Sequence, residues 1–133
     1  MALFRYSHRV TYAECTVGNH VYYGRYLELL ETARGEFFRS VGMPFCAWQE
    51  QDIIFPVREC RLRIESPARY DDVLTIEVWV LEVKGARLDL GCRVADLSGR
   101  LVLEAETFHA CAGLNGRPKR LPEDLLARLS PAQ

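Results

Sequence analysis

The chain has 133 residues, of which 49% are hydrophobic and 26% charged, and its formal net charge is −1. This composition is that of an ordinary globular protein, so residues 1–133 are predicted to form one domain without the basic field that nucleic-acid binding needs. The sequence contains no run of 18 apolar residues, so no membrane span is predicted.

The first half of the chain reads as a strand, a polar segment and a long helix. Alternating β-forming residues predict a strand over 4–12, and the polar segment 13–20 (AECTVGNH) contains a turn at Gly18 and Asn19. From Val21 to about Val41 the spacing is helical. Its inner face is expected to carry Leu27, Leu30, Ala33, Arg34, Phe37, Phe38 and Val41. Gly42 then ends the helix, and a loop containing Trp48 is predicted to follow.

The second half is predicted to contain four strands, over residues 53–66, 72–84, 86–97 and 101–114, and a short helix over 121–129. Pro56 predicts an edge position or a bulge for the first of these strands. Short turns predict an antiparallel meander. The fold class is therefore α+β, a hot-dog fold whose five-stranded antiparallel sheet wraps around one long helix. Its exposed edges favour a homodimer or homotetramer.

Three segments resemble the 4-hydroxybenzoyl-CoA thioesterase family, a group of hot-dog acyl-CoA thioesterases. Residues 21–34 (VYYGRYLELLETAR) are similar to the pattern VxYxxYxxxxExAR, residues 66–80 (SPARYDDVLTIEVWV) to PAxYDDxLxV, and residues 116–122 (GRPKRLP) to the closing turn. The resemblance runs from about Phe4 to Pro122. It implies hydrolysis of an acyl thioester of CoA or of acyl-carrier protein.

The resemblance also shows where this chain departs from the family. Before the helix the family reads (D/E)xDxxGxVxYxxY, and its second acid is catalytic. That position is Thr16 here, the first acid is Glu14, and Asn19 replaces the glycine. Tyr23 matches the residue whose backbone N–H, at the helix start, hydrogen-bonds the thioester oxygen. The oxyanion donor is therefore expected, whereas the catalytic carboxylate is missing.

Several polar residues are candidates for the role of the missing catalytic carboxylate. Thr16 could orient a water or attack if activated, or it could be a turn or capping hydroxyl. His20 could be a general base, because imidazole titrates near neutrality, or a capping or exposed histidine. Asn19 could donate to the carbonyl or adopt a left-handed turn conformation. Glu14 would lie on the side of Thr16 in an extended segment, or it could be a surface carboxylate.

The polar segment also resembles the thioesterases of enediyne polyketide pathways, which have ETN…VGN-VYY where this chain has ECT…VGNHVYY. These proteins lack the acid too, which implies a mechanism in which polar groups position the water. An arginine of their central helix is implicated, and it aligns best with Arg34. On an apolar helix face Arg34 needs a partner, and Glu31 could form a structural pair with it.

Substrate binding is predicted at basic and aromatic residues. CoA phosphates need arginine or lysine, and the densest cluster is Arg117, Lys119 and Arg120; Arg87 and Arg93 are further candidates. An acyl pocket is expected along the helix, at aromatic residues that could equally be core. These residues are Phe45, Trp48 and Phe55.

Two other functions are compatible with the fold. Thr16 in place of the acid favours a non-catalytic acyl-thioester-binding or scaffolding protein. Dehydration of a hydroxyacyl thioester would use His20, although dehydratases of this fold carry their histidine in a different local pattern.

The five cysteines, at positions 15, 46, 60, 92 and 111, form no CxxC pair, and most are interpreted as reduced small hydrophobic residues. No metal or cofactor is predicted. The N-terminal segment lacks the apolar region of a signal peptide, so a cytoplasmic location is expected.

Overall fold

The structure, a computed structural model, describes residues 3–129 and has the predicted hot-dog architecture. Five antiparallel strands form the main sheet: β1 (Phe4–Arg9), β4 (Val57–Ile64), β5 (Val73–Lys84), β6 (Arg87–Asp96) and β7 (Leu101–Ala110). Two-residue strands β2 (Cys15–Thr16) and β3 (His20–Val21) form a separate ladder. The helices are α1 (Arg25–Ser40), α2 (Phe45–Glu50) and α3 (Glu123–Arg128). The predicted fold class, α+β with one long helix inside the sheet, is confirmed.

The core lies between α1 and one face of the sheet. Strand β5 buries every second residue from Leu74 to Val80, as the sequence predicts. Helix α1 buries Leu30, Ala33, Phe37 and Phe38 on its inner face, also as predicted. Leu27 does not follow this pattern, because its side chain is 54% exposed. It lies on the side of α1 that faces β4, where a groove separates the helix from the strand.

The predicted meander is wrong for its first strand. The sheet order is β1-β5-β6-β7-β4, so β4 pairs with β7 rather than with β5. The chain leaves β4 at Ile64 and crosses the start of α1 before it enters β5. Ala68 anchors this crossing, because its carbonyl accepts from the Val21 amide (2.8 Å) and its amide donates to the Tyr26 hydroxyl (3.2 Å). Strand β4 is therefore an edge strand, as Pro56 indicated.

Two helix predictions also need correction. Helix α1 begins at Arg25 rather than Val21, because the amides of Val21 and Tyr22 donate to the carbonyls of Ala68 (2.8 Å) and Glu14 (2.9 Å) in neighbouring segments. The predicted loop after α1 contains α2, whose aromatic side chains pack against one another. In this cluster the Trp48 ring centroid lies 4.4 Å from that of Phe45. Phe55 is buried as the core interpretation predicts, whereas Phe45 is 42% exposed, and Phe45, Trp48 and Phe55 all line a cavity.

His109 is the buried histidine of the core. Its side chain on β7 is 2% exposed, its Nε2 lies 2.8 Å from the Thr107 hydroxyl, and its Nδ1 lies 3.4 Å from the Phe55 carbonyl. Burial, reinforced by the nearby positive charge of Arg34, lowers the pKa of His109 to about 4. The folded protein therefore holds this imidazole neutral at neutral pH.

Lowering the pH from about 7 to about 5 is expected to destabilise the protein by about 2 kcal/mol through His109 alone. The unfolded imidazole takes up a proton as the pH falls through its ordinary pKa of 6.5, whereas the folded one resists until about 4. The contribution of the neutral His109 to stability is therefore complete above pH 6.5 and is lost as the pH falls from 6.5 to about 4. Urea unfolding of the wild type and of His109→Gln at both pH values measures this change in the free energy of unfolding. Equal pH slopes in the two proteins would contradict the prediction.

The described residues place limits on two other predictions. No helix within residues 3–129 is long and apolar enough to cross a membrane. All five cysteines are free thiols. Cys92 and Cys111 are buried as predicted, whereas Cys46 and Cys60 are exposed, and burial raises the pKa of Cys92 to about 12.

Candidate functional site

The polar segment before α1 is a short hairpin that presents two candidate residues side by side. Thr16 on β2 pairs with His20 on β3, and the Asn19 amide closes the turn by donating to the Thr16 carbonyl (3.1 Å). Gly18 and Asn19 both have left-handed backbones, with φ of 88° and 58°. A Cβ at Gly18 would lie 3.3 Å from the His20 ring, so this glycine leaves room for the imidazole.

The His20 ring has a defined orientation. Its Nδ1 lies 3.3 Å from the Val21 carbonyl oxygen, which can only accept a hydrogen bond. The proton of the neutral ring is therefore assigned to Nδ1, and Nε2 carries the free lone pair. This is the tautomer that a general base needs, with its accepting nitrogen directed away from the backbone.

The backbone amide of Tyr23 is a free donor at the start of α1. The amides of Tyr22 and Arg25 are engaged, because Tyr22 donates to the Glu14 carbonyl (2.9 Å) and Arg25 donates to the Tyr22 carbonyl (2.8 Å). Within residues 3–129, the Tyr23 amide has no backbone or side-chain acceptor. Because it lies at a helix N-terminus, the helix dipole favours negative charge beside it. The phenol ring is 66% exposed and packs against Tyr22.

Thr16, His20 and Tyr23 line one cavity of about 540 Å³. Tyr26 of α1 and Ile64 at the end of β4 form the opposite walls. The structure thus brings together three of the six predicted catalytic residues: an aliphatic hydroxyl, an imidazole with a free nitrogen and an unpaired amide. A carbonyl placed here would have a donor for its oxygen and a base for a water.

Glu14 does not line this cavity. It lies at the end of a 3-10 turn rather than in an extended strand, so the predicted alternation with Thr16 is wrong. Its carboxylate accepts from the Thr11 amide (2.7 Å) and lies 2.9 Å from His8 Nε2. Burial opposes ionisation, but the bonds from Thr11 and His8 hold the pKa of Glu14 below its usual value. The Glu14 carboxylate is therefore engaged in hydrogen bonds that stabilise the loop.

Asn19 and Arg34 also lie outside the lining of the hairpin cavity. Asn19 takes the turn role that its left-handed backbone requires. Arg34 lies eleven residues beyond Tyr23 on α1, about 16 Å along the helix axis. Its predicted pair with Glu31 is present but long, with 3.5 Å between Nη2 and Oε1. The position of Arg34 therefore does not favour a catalytic role beside Thr16.

The basic turn, residues 116–120, lies at the other end of β4 from the hairpin cavity. Bridges join Ala112 to Ile54, ahead of β4, and to Pro118 in the turn, whereas the cavity contacts Ile64 at the end of β4. The eight residues of this strand span about 26 Å. Lys119 is tied to the Asp52 carbonyl (2.8 Å), which leaves Arg117 and Arg120 exposed and without an ion pair among residues 3–129.

Sequence patterns did not reveal two residues that organise the site. Arg69 donates to the carbonyls of Gly18 (3.3 Å) and Asn19 (3.4 Å) and so holds the hairpin turn. Ala68 joins the crossing segment to β3 and α1. Both residues lie about fifty residues from the groups they hold. The segment SPARYDD, which contains them and resembles the family pattern, is the part of the sequence that could have indicated them. The described residues contain no His, Cys, Asp or Glu cluster that could hold a metal ion.

Comparison with known families and proteins gives consistent matches. The thioesterase-like superfamily matches residues 10–129. The acyl-CoA thioester hydrolase YbgC of Escherichia coli O6:H1 is 31% identical over 126 residues, which are 94% of each chain. The acyl-CoA thioesterase YbgC of Haemophilus influenzae is 32% identical over 127 residues, covering 93% of this chain and 92% of the relative.

Solved structures agree with the sequence matches. A probable thioesterase from Bartonella henselae superposes with a TM-score of 0.86 at 29% identity, covering 91% of this chain and all of the other. A variant of 4-hydroxybenzoyl CoA thioesterase, in complex with 4-hydroxybenzoyl CoA, superposes with a TM-score of 0.87 at 25% identity. That alignment covers 96% of this chain and 99% of the other.

Proposed function

The chain belongs to the thioesterase-like superfamily, and on this basis we propose that it hydrolyses acyl-CoA at the hairpin cavity without a catalytic carboxylate. It is a thioester hydrolase, as the resemblance to the 4-hydroxybenzoyl-CoA thioesterases predicted. The observation that carries the proposal is the free amide of Tyr23, a residue that lines the same cavity as Thr16 and His20. An acyl-CoA substrate and five free thiols fit a cytoplasmic protein.

The proposed reaction is general-base hydrolysis. His20 Nε2 takes a proton from a water, whose oxygen bonds to the thioester carbon while the carbonyl electron pair moves onto its oxygen. The Tyr23 amide donates to this oxyanion. The carbon–sulfur bond then breaks, and the leaving sulfur takes the proton back from the His20 imidazolium. The products are a carboxylic acid and free CoA thiol, and no other reactant is needed.

In this proposal, Thr16 takes the position of the catalytic acid in the family pattern (D/E)xDxxGxVxYxxY that the polar segment resembles. Because an aliphatic hydroxyl is not ionised at neutral pH, its role is to hold the water opposite His20 rather than to attack. The paired positions of Thr16 and His20 bring their Cβ atoms within about 5 Å of each other, which is the span of one bridging water. Glu14 and Asn19 support the hairpin and do not contact substrate.

The second part of the proposal is a homodimer formed along β4. This strand is exposed over most of its length, and its outer edge has no strand partner among residues 3–129. Val57 and Ile64, at its two ends, are 44% and 41% exposed. A second copy pairing about a two-fold axis would run antiparallel and would cover this edge.

Such a dimer would also explain the distant basic turn. In an antiparallel pair, the beginning of one β4 lies beside the end of the other, so the basic turn of the second copy comes close to the hairpin cavity. Arg117, Lys119 and Arg120 would then bind the CoA phosphates of the opposite site, with Lys119 anchoring the turn. Each active site would combine a hairpin from one copy with a turn from the other.

The direct test of the function is thiol release by the purified protein from a panel of short, long and aromatic acyl-CoAs. We expect turnover of at least one class. Tight binding of acyl-CoA with no thiol release from any of them would contradict hydrolysis and favour the non-catalytic binding protein.

Replacing Arg117 and Arg120 with glutamine should raise KM for acyl-CoA about tenfold or more and leave kcat almost unchanged. Both residues lie far from the reacting bond, and their substitution removes phosphate contacts without disturbing Lys119. Steady-state kinetics measures the two parameters. The matched control is Arg39→Gln, an exposed arginine on α1 that should have no effect. A fall in kcat with unchanged KM would contradict the assignment.

Mixing two defective proteins tests whether the site is shared. A His20→Ala protein, refolded together with the Arg117→Gln/Arg120→Gln protein, forms heterodimers in which one site has both an intact hairpin and an intact turn. With acyl-CoA kept well below the wild-type KM, where both parent proteins are defective, about a quarter of all sites should then be fully active, if the dimers form at random. Activity no greater than that of the two proteins measured separately would show that each site lies within one copy.

A further inference from the structure

Three cavities follow one another along α1, and the hairpin cavity is the first of them. The second, of about 310 Å³, lies between Leu27 and Arg34 of α1 and Val57 and Cys60 of β4. The third, of about 330 Å³, lies between Arg34 and the aromatic cluster at Trp48. The second and third cavities share Glu31 and Arg34, and the first lies next to the second, since Tyr26 lines the first and Leu27 the second. This row of cavities from the hairpin to Arg34 is called the groove.

The charged groups of this groove are unevenly placed. Glu28 and Glu31 stand at its rim, where their side chains are 63% and 68% exposed, and Glu28 is paired with Arg25 at 2.8 Å. The floor is formed by side chains such as Leu30, together with the Thr107 hydroxyl. Arg34 is the lining cation of the second and third cavities within residues 3–129. A bound acyl chain would thus meet mainly apolar groups until it reached the guanidinium.

Arg34 itself is buried without adequate compensation. Its side chain is only 13% exposed, and its Nε has no acceptor among residues 3–129. Its one ion pair, with Glu31, is long at 3.5 Å, and burial lowers the pKa of the guanidinium. The neighbouring His109 is neutral and supplies no negative charge. A buried cation in this condition is costly to maintain, which indicates that a ligand completes its environment.

We propose that the groove holds the acyl chain of the substrate and that Arg34 binds a carboxylate at the far end of that chain. This inference rests on the proposed function and assigns its substrate class: thioesters of ω-carboxyacyl groups. A guanidinium presents a planar fork of donors that matches a carboxylate. The substrate carboxylate would satisfy Nε and add a second negative charge to that of the distant, exposed Glu31.

The length of the groove sets the length of the chain. Arg34 lies about 16 Å beyond Tyr23 along the helix axis, and helical side chains lean back toward the N-terminus by part of a turn. With carbon–carbon bonds of about 1.5 Å in a zigzag, this distance corresponds to a chain of about eight to eleven carbons. Arg34 is therefore a specificity residue at the chain end rather than a participant in bond cleavage.

The test compares decanoyl-CoA with the CoA monothioester of decanedioic acid, which has the same chain length and a terminal carboxylate. The wild-type protein should show a kcat/KM at least about tenfold higher for the ω-carboxy substrate. Arg34→Met should reverse this preference, and Arg34→Lys should keep only part of it. Arg39→Met, at an exposed arginine with the same kind of pair on the same helix, should keep it fully. Equal kcat/KM for both substrates in the wild type would overturn the inference.

Two further measurements separate this inference from the proposed function. Binding of free decanedioate by calorimetry should be detectable for the wild type and lost in Arg34→Met, and this result does not depend on hydrolysis. If no thioester is cleaved but the diacid binds through Arg34, the proposed function fails and the binding assignment holds. If Arg34→Met leaves diacid binding intact, or converts a dimer to a monomer by light scattering, Arg34 serves another partner and the inference is overturned.

Discussion

Replacing His20 with alanine should lower kcat for thioester hydrolysis by about 10² to 10⁴, the usual contribution of a positioned general base. The Nδ1 atom of the imidazole lies 3.3 Å from the Val21 carbonyl, which leaves Nε2 free, and His20 lines the same cavity as Thr16 and Tyr23. Glu14 is engaged by Thr11 and His8, and Glu65, the carboxylate in the cavity lining, is paired with Arg63 at 3.8 Å. Loss of the imidazole would leave the water without a base.

The His20 experiment has a matched control in the same hairpin. Thr16→Ala should lower kcat by a smaller factor than His20→Ala, because it removes a water contact and leaves the base. His8→Ala removes a second histidine that lies outside the cavity lining, and it should affect stability more than kcat. Thermal unfolding of each variant separates the two effects. If His20→Ala retains wild-type kcat, the base is not His20 and the proposed mechanism is wrong.

Removing the backbone amide of Tyr23 should lower kcat by about 10² to 10³, as the loss of one oxyanion donor does in other hydrolases. Tyr23→Pro makes this change, because proline has no N–H. The substitution lies just before the N-cap of α1, so no intrahelical hydrogen bond is removed. The effect should appear in kcat, because the amide acts on the charge that develops during the reaction.

Tyr23→Ala is the matched control, since it removes the exposed phenol and keeps the amide. It should retain kcat within about a factor of three, a change that corresponds to less than 1 kcal/mol. Circular dichroism checks that α1 is intact in the proline variant. If the alanine variant loses as much activity as the proline variant, the phenol rather than the amide contributes to catalysis.

Much of the site was predictable because it is local in sequence. The turn at Gly18 and Asn19 and the position of His20 between this turn and the helix follow from short-range patterns, whereas the helix begins four residues later than predicted, at Arg25. Glu14 was misplaced because a 3-10 turn interrupts the extended segment, and hydrogen bonds with Thr11 and His8 decide its orientation. The contact with Thr11 is local in sequence, whereas the contact with His8 depends on how strand β1 lies beside the loop.

The long-range features could not be predicted in the same way. The meander prediction failed at β4, because the sequence patterns mark strands but do not state which strands are neighbours. The crossing at Ala68 determines that pairing through contacts with Val21 and Tyr26, which lie more than forty residues away. It also decides that β4 is the exposed edge and that a groove remains between this strand and α1.

The sequence by itself determined the element types, the buried faces of β5 and α1, and the family. These features depend on periodicity and on residues close together in the chain. Only the tertiary structure decided that Arg34 lies in a groove away from the hairpin, and that the basic turn lies a full strand length from the cavity. The physical reason is that burial, desolvation and strand pairing arise from contacts between distant segments, and those contacts exist only once the sheet has closed around the helix.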